Sequence, residues 1–442
     1  MDKQAAGYVK TLVYAALLGF PVAFAAVLFQ TLIHDVTHVV WEWIPEELDW
    51  SAPPGWYVIA VTGLAGILVA LFVRLPGHGG HSPLEGLGMG TVHAVELPSI
   101  LLAALASLGL GIVLGPEAPL IALGLGLGTI AVRLVQTGET QAQLLILAGA
   151  FSAIAALFGG PLIAAFLLFE VTAASGQIPP QEIGRALLPG FVAAGTGALV
   201  FTGVGDWPGL HEASLTLPPL PAYDTVRIAD IGWCLLLAVV IAIVVVAIRH
   251  LAHGIKARGA ARPEAMLVAA GLLVGGLAVA FRAVADRPVD LVLFSGQTEL
   301  PAIIAEGSAG VLALLVVAKG LAYALSLGAG FRGGPVFPAL AIGVAVAMVA
   351  ADVLPGLETT PAVAAGIAAG VAAVLRVPFT AVLLATLLIG SASIDVAPIA
   401  VFAAAVGWLV AVALPNPEDR TAEDLPRPPR RRLRRPSADS TP

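Results

Sequence analysis

Apolar segments follow one another along this chain almost without polar relief, and that succession decides its solvent before any motif is read. They run at 9–33, 58–73, 98–114, 119–135, 143–173, 186–204, 229–248, 265–282, 307–330, 338–354, 361–390 and 397–414. The first is long enough to cross a bilayer at a tilt. Many of the others fall short of the roughly 20 residues a full crossing needs. Glycine and proline separate them more often than polar loops do. Short, interrupted apolar segments imply broken or re-entrant helices, which persist at membrane depth only inside protein or beside a water-filled cavity.

Composition agrees with this reading. Of 442 residues, 58% are hydrophobic and 12% charged, where a soluble domain carries about twice that charged fraction. The 49 glycines and 33 prolines fit a helical membrane protein, whose neighbouring helices satisfy the backbone groups such residues free. A formal charge of -7 disfavours a nucleic-acid partner. Cys234 is the single cysteine, so the chain has no intramolecular disulfide and no multi-cysteine zinc site. No cofactor is expected. The start, Met1-Asp2-Lys3-Gln4, reads as the lead into a retained helix and not a cleaved signal.

The punctuation repeats. Gly115-Pro116-Glu117-Ala118-Pro119 opens one apolar run and Gly333-Gly334-Pro335-Val336-Phe337-Pro338 another, with 338 − 119 = 219 residues between the final prolines. Phe158-Gly159-Gly160-Pro161-Leu162 and Arg376-Val377-Pro378-Phe379-Thr380 form a second pair, at 378 − 161 = 217. Two landmarks at nearly one offset indicate an internal duplication. The fold expected is an all-α polytopic membrane protein of two inverted-topology repeats, about 8–204 and 228–414, divided by a polar stretch from Asp206 to Asp224. The membrane part spans 1–416. Residues 417–442 carry Arg427, Arg430, Arg431, Arg432, Arg434 and Arg435 among prolines. They read as a disordered basic tail, with both termini on the cytoplasmic side of the cell membrane and the arginines as a positive-inside anchor or an anionic-lipid patch.

An anion entering hydrocarbon needs fixed positive potential, yet a full lysine charge would hold it too tightly to release. Helix N-termini offer unpaired N–H groups and roughly half a unit of positive charge. Proline suits the first turn of such a helix, and glycine lets its backbone approach the ion. Three turns have this composition: Gly77-His78-Gly79-Gly80-His81-Ser82-Pro83, Gly115 to Pro119, and Gly333 to Pro338. They are expected to converge on one dehydrated anion, with Gly79, Gly80, His81, Ser82, Pro83, Gly115, Pro116, Ala118, Pro119, Gly334, Pro335, Val336, Phe337 and Pro338 as candidate lining. His78, His81 and His93 surround the first turn as pH-sensing or solvated loop groups.

These motifs resemble those of the CLC family of chloride channels and proton-coupled chloride exchangers, over roughly residues 8–416. Lys319 to Gly330 followed by Gly333 to Pro338 is similar to the family's Ser-x-Gly-x-Gly lead into Gly-x-Phe-x-Pro, with Val336 in place of phenylalanine. Gly115 to Pro119 resembles Gly-Lys/Arg-Glu-Gly-Pro, with Pro116 replacing the basic residue and Ala118 the second glycine. Gly79 to Pro83 resembles Gly-Ser-Gly-Ile-Pro loosely, which puts the family's anion-binding serine near Gly80 or Ser82.

The resemblance implies that Glu117 is a gating carboxylate, a tethered competitor for the anion that leaves when protonated or displaced; a plain first-turn cap is the structural reading. It places Val171 where exchangers carry a proton-relay acid, with Glu170 beside it as a structural group bonded to helix ends. The missing acid tilts the expectation toward channel-like chloride conduction, with chloride/proton antiport as the alternative. The family's pore tyrosine has no match, because no tyrosine follows Tyr323. A homodimer with its interface around 161–204 and 378–414 is also implied. Lys319 and Arg376 either add positive potential to the pore or serve in interfacial and paired structural roles.

One enzymatic reading competes. His34-Asp35-Val36-Thr37-His38 sets two histidines at i and i+4, a metal-compatible spacing. The zinc-protease form has glutamate as its second residue, and Trp41 and Trp43 mark the stretch as a membrane interface. Neither a nucleophile elbow nor a Walker loop is present, so hydrolase and ATP-driven transport lack support. A transporter, not an enzyme, is expected.

Overall fold

The computed structural model describes residues 3–135, 138–175, 183–204, 217–390 and 393–414. The basic tail and residues 206–216 of the polar stretch lie outside them. Among the described residues there is no β-strand, only one isolated bridge. The first half comprises α1 (Lys3–His38), α2 (Ile44–Glu47), α3 (Gly55–Phe72), α4 (Leu97–Gly109), α5 (Glu117–Val135), α6 (Glu139–Phe158), α7 (Pro161–Ser175) and α8 (Ile183–Val204). The second comprises α9 (Ile228–Gly259), α10 (Pro263–Ala285), α11 (Leu300–Ala305), α12 (Ala309–Ala329), α13 (Val336–Val353), α14 (Thr359–Leu375), α15 (Pro378–Ile389) and α16 (Ser393–Ala413).

Nine helices among the described residues are long and apolar enough to cross a membrane. Others are short: α4 has 13 residues, α7 15, α14 17 and α15 12. The two longest apolar runs divide where their sequence punctuation stands. Gly159, at φ +66°, ends α6 and Pro161 opens α7; Arg376, at φ +60°, ends α14 and Pro378 opens α15. The left-handed caps sit 376 − 159 = 217 residues apart. The first helix outruns its apolar segment, continuing through a π-helical turn at Val39–Trp43 into α2. His34, Asp35 and His38 do not stop it, because Trp41 anchors the extension by burying its ring and donating Nε1–H to Gly109 O at 3.1 Å.

The two halves use the same packing device. Where α5 crosses α6, a Cβ on Gly124 would stand 2.6 Å from the Gly149 carbonyl carbon. Where α13 crosses α14, a Cβ on Gly366 would stand 2.7 Å from Gly343 O. Small residues let helix backbones meet where there is no hydrophobic drive between them. These pairs also obey the offsets, with 343 − 124 = 219 and 366 − 149 = 217. Large apolar side chains such as Leu17, Trp56, Leu199 and Phe379 remain exposed on the outside, suited to lipid.

Candidate functional site

The loops that open α5 and α13 meet at the centre of the molecule and pair there. Gly115 and Gly334 exchange backbone hydrogen bonds in an antiparallel bridge, N to O 2.8 and 2.5 Å. The segments therefore enter their helices from opposite directions, as inverted repeats require. A reciprocal exchange of serines locks the loops. Ser107 of α4 accepts from Arg332 N at 3.1 Å, and Ser326 of α12 accepts from Val113 N at 3.3 Å. All three pairs share one offset: 334 − 115, 326 − 107 and 332 − 113 are each 219. Tyr323 braces the same point, its buried hydroxyl donating to Pro335 O at 2.8 Å.

Glu117 lies at the first position of α5 and is fully buried. Its carboxylate reaches across the bridge to the other half, where Oε1 accepts from Phe337 N at 2.9 Å. It thus caps the start of α13. Among the described residues, none makes a hydrogen bond to Oε2. Both bridge glycines are required by this seat. A Cβ on Gly115 would lie 2.7 Å from Oε1 and 2.8 Å from Cδ, and one on Gly334 2.5 Å from Cδ. Neither glycine has a left-handed φ, so the carboxylate and not the backbone excludes larger residues. An acid stands where the dipole of α13 would receive an anion.

The remaining candidates divide. Pro116 immediately precedes α5, whose first turn holds Ala118 and Pro119; Pro335 is the N-cap of α13, whose first turn holds Val336, Phe337 and Pro338, with Val336 and Phe337 buried beside the seat. The third turn differs from expectation. Pro83 opens only a three-residue 3-10 turn, Pro83–Glu85, too short to sum a helix dipole. The Gly79 N–H donates to Ser99 Oγ at 2.8 Å and the Gly80 N–H to Gly77 O at 2.8 Å, so neither is offered to an ion. Ser82 precedes the turn without a capping bond. Two helix starts, not three, therefore converge. The first turn instead lines a cavity of about 610 Å³ with Gly77 to His81, against Ala118, Pro119 and Ala122 of α5 and Arg332. His78 bonds Val73 O through Nδ1, and His93 lies on the exposed side with its N–H donating to Glu96.

Glu170 behaves as a structural group. It caps α15, accepting from Phe379 N at 2.8 Å, Thr380 N at 2.6 Å and the Thr380 hydroxyl. Val171 next to it packs among apolar neighbours. Buried Lys319 donates to the carbonyls of Leu291, Val292, Leu293 and Phe294, between 2.9 and 3.3 Å, so its charge stitches a loop. Arg376 reaches Ala411 O at 3.3 Å. The His34 and His38 rings stand 6.4 Å apart, with His38 directed at Glu42, and the described residues contain no metal-holding cluster. Sequence reasoning met Ser326 only as the serine of the Ser-x-Gly-x-Gly lead and did not single out Arg332 or Ser107. Carrying the proline offset of 219 across every polar residue would have paired the serines.

The chain was compared with known proteins on this basis. A model of the family described as voltage gated chloride channel matches residues 83–411. YfeO of Escherichia fergusonii, whose name assigns it provisionally to ion transport, is 29% identical over 364 residues, 79% of this chain and 81% of its own. A slow cyanobacterial Cl−/H+ antiporter superposes with a TM-score of 0.75 at 20% identity, covering 94% of this chain and 98% of its own. A CLC-type fluoride/proton antiporter gives 0.64 at 19% identity, covering 93% and 96%. At these identities the likeness to the solved structures is one of fold.

Proposed function

The chain belongs to the voltage-gated chloride channel family, and from that premise we propose that it carries small anions, chloride first, across the membrane in exchange for protons, with Glu117 as the gate. The observation that carries this reading is the seat of Glu117. Its carboxylate occupies the start of the opposing helix, bonded to Phe337 N and enclosed by two glycines. Protonation removes its charge and its claim on that seat; an anion arriving at the same N–H groups displaces it. One side chain thereby couples the two ions, because the seat holds either the carboxylate or the anion.

Exchange is favoured over the channel-like conduction that Val171 suggested, since the solved structures of like fold compared above are a Cl−/H+ antiporter and a fluoride/proton antiporter. The missing acid at Val171 means that protons reach Glu117 by some route other than that position. Chloride is the leading substrate, with fluoride, bromide and nitrate as competitors in the same assay. A homodimer fits the exposed apolar groups Leu162, Phe166, Phe379 and Trp408 on the faces of α7, α15 and α16.

The test is a liposome flux assay on purified protein with chloride and proton movement recorded together. Wild type should drive protons uphill on a chloride gradient. Glu117→Gln should abolish proton movement while anions still pass. Anion flux without proton movement in wild type would restore the channel reading, and no anion flux would end the proposal.

A further inference from the structure

Glu117 is fully buried in its seat, so a proton reaches it only through a cavity or along other protein groups. Position 171 offers no such group. Val171 packs among apolar side chains, and Glu170 beside it is committed to the amides that open α15. The cavity of about 610 Å³ against α5 comes within one residue of the gate from both repeats. Ala118 on its wall follows Glu117 in the chain. Gly333 precedes Gly334, where an added Cβ would stand 2.5 Å from Glu117 Cδ. Glu96, the N-cap of α4, lines the same cavity and is half-buried. Among the described residues its carboxylate makes one hydrogen bond, with Oε2 accepting from His93 N at 2.9 Å. The other oxygen is left to hold a proton.

The repeat offset pairs Glu96 with Leu315, at 315 − 96 = 219, so packing common to the two halves does not call for an acid there. The other charged and titratable groups have different engagements. His78, His81 and Arg332 share the cavity wall, and His93 stands exposed on the loop before Glu96. His78 is tied through Nδ1 to Val73 O, and Arg332 donates to His78 O at 2.9 Å. Glu85 feels His81 and Arg332, but the Lys256 ammonium bonded to it at 2.7 Å does most to hold its carboxyl below the usual range. Glu85 therefore stays charged and is a poor proton carrier. A cavity of this size with polar groups on its wall has room and partners for water, and water can pass a proton between carboxyl groups that do not touch.

We propose that Glu96 is the proton-loading group of the exchanger. Its carboxylate takes a proton from the solution at the cavity mouth and releases it to water in the cavity. That water passes a proton to the Glu117 carboxylate, and Glu96 returns to its charged form. The proposal rests on the exchange reading and gives it the proton donor that Val171 cannot be.

The test records proton and chloride movement together in liposomes for wild type, Glu96→Gln, Glu96→Asp and Glu264→Gln. Glutamine keeps an oxygen to accept from His93 N but carries no proton; aspartate carries the proton on a shorter arm. Glu96→Gln should lower the ratio of protons to chloride moved by about tenfold, since a positioned acid speeds proton transfer by at least that much. Glu96→Asp should recover most of the ratio. Glu264→Gln, which removes an exposed acid paired to Arg74, should keep the wild-type ratio. A purely structural Glu96 would give the reverse order, with glutamine harmless and aspartate impaired, and that order would overturn the proposal. An unchanged ratio in Glu96→Gln, or an equal loss in Glu264→Gln, would do the same. If Glu96→Gln does not fold, Glu96→Asn is read against Glu96→Asp, and equal ratios in that pair overturn the proposal. Failure of the parent reading is distinct, since wild type itself would then move no protons against a gradient.

Discussion

If Glu117 gates as proposed, replacing Gly334 by alanine should open the gate without changing the acid itself. Alanine suits the backbone there, since Gly334 has no left-handed φ, but its Cβ would fall 2.5 Å from Glu117 Cδ and 2.9 Å from Glu117 Cβ. Ordinary contact begins at 3.4 Å, so Cδ must retreat by at least 3.4 − 2.5 = 0.9 Å. Taken along the 2.9 Å bond from Phe337 N, that movement gives about 3.8 Å, beyond hydrogen-bonding range. A hydrogen bond to a charged group is worth about 1.5–3 kcal/mol. Its loss shifts the ratio of displaced to seated carboxylate by about tenfold to a hundredfold. Gly334→Ala vesicles should pass chloride faster than wild type at neutral pH, with proton coupling reduced toward that of Glu117→Gln. Gly160→Ala is the control, because a Cβ there meets nothing within 4 Å. Wild-type rate and coupling in a folded Gly334→Ala protein would refute the seat as the gate.

Two further outcomes follow from the polar contacts. Glu170→Ala leaves the amides of Phe379 and Thr380 without their acceptor, at a cost of about 3 kcal/mol, so the melting temperature in detergent should drop by several degrees while Glu170→Gln recovers part of it. The Arg287 guanidinium beside Glu306, at 2.7 Å, holds that carboxyl below the usual range. A lowered carboxyl pKa stabilises the folded form above the unfolded value, about 4.3, and that support is lost as pH falls through the folded value. Glu306→Gln should therefore melt slightly below wild type at pH 7, and the two curves should merge in strong acid.

Much of this was legible in the sequence because its signals are local. Hydropathy marked the helices, and Gly159-Gly160-Pro161 and Arg376-Val377-Pro378 marked the breaks where the structure places them. Matching offsets exposed the repeat, and a lone acid at the tip of α5 exposed Glu117. What escaped was set by contact between distant residues. Pro83 looks like a helix start, yet the chain after it makes only one short turn. The glycines at 79 and 80 look like open amides, yet Ser99 and Gly77 use them. Arg332 looks like a loop residue, and only the fold puts it on a cavity wall. The expectation of channel-like conduction rested on Val171 alone, and a shared fold does not by itself separate a channel from an exchanger.

The reciprocal serine bonds carry a consequence for how the protein is made. Arg332 and Ser107 are separated by 225 residues, Val113 and Ser326 by 213, and Phe337 and Glu117 by 220. During synthesis the first half emerges with Glu117 and its loop amides lacking every one of these partners. The seat of Glu117 is therefore absent from a half-made chain and forms only on docking of the second half, late in folding, since distant contacts form after local ones. Each half is an incomplete template for the other. Two separately expressed halves would have to find one another in the bilayer before either could build that seat.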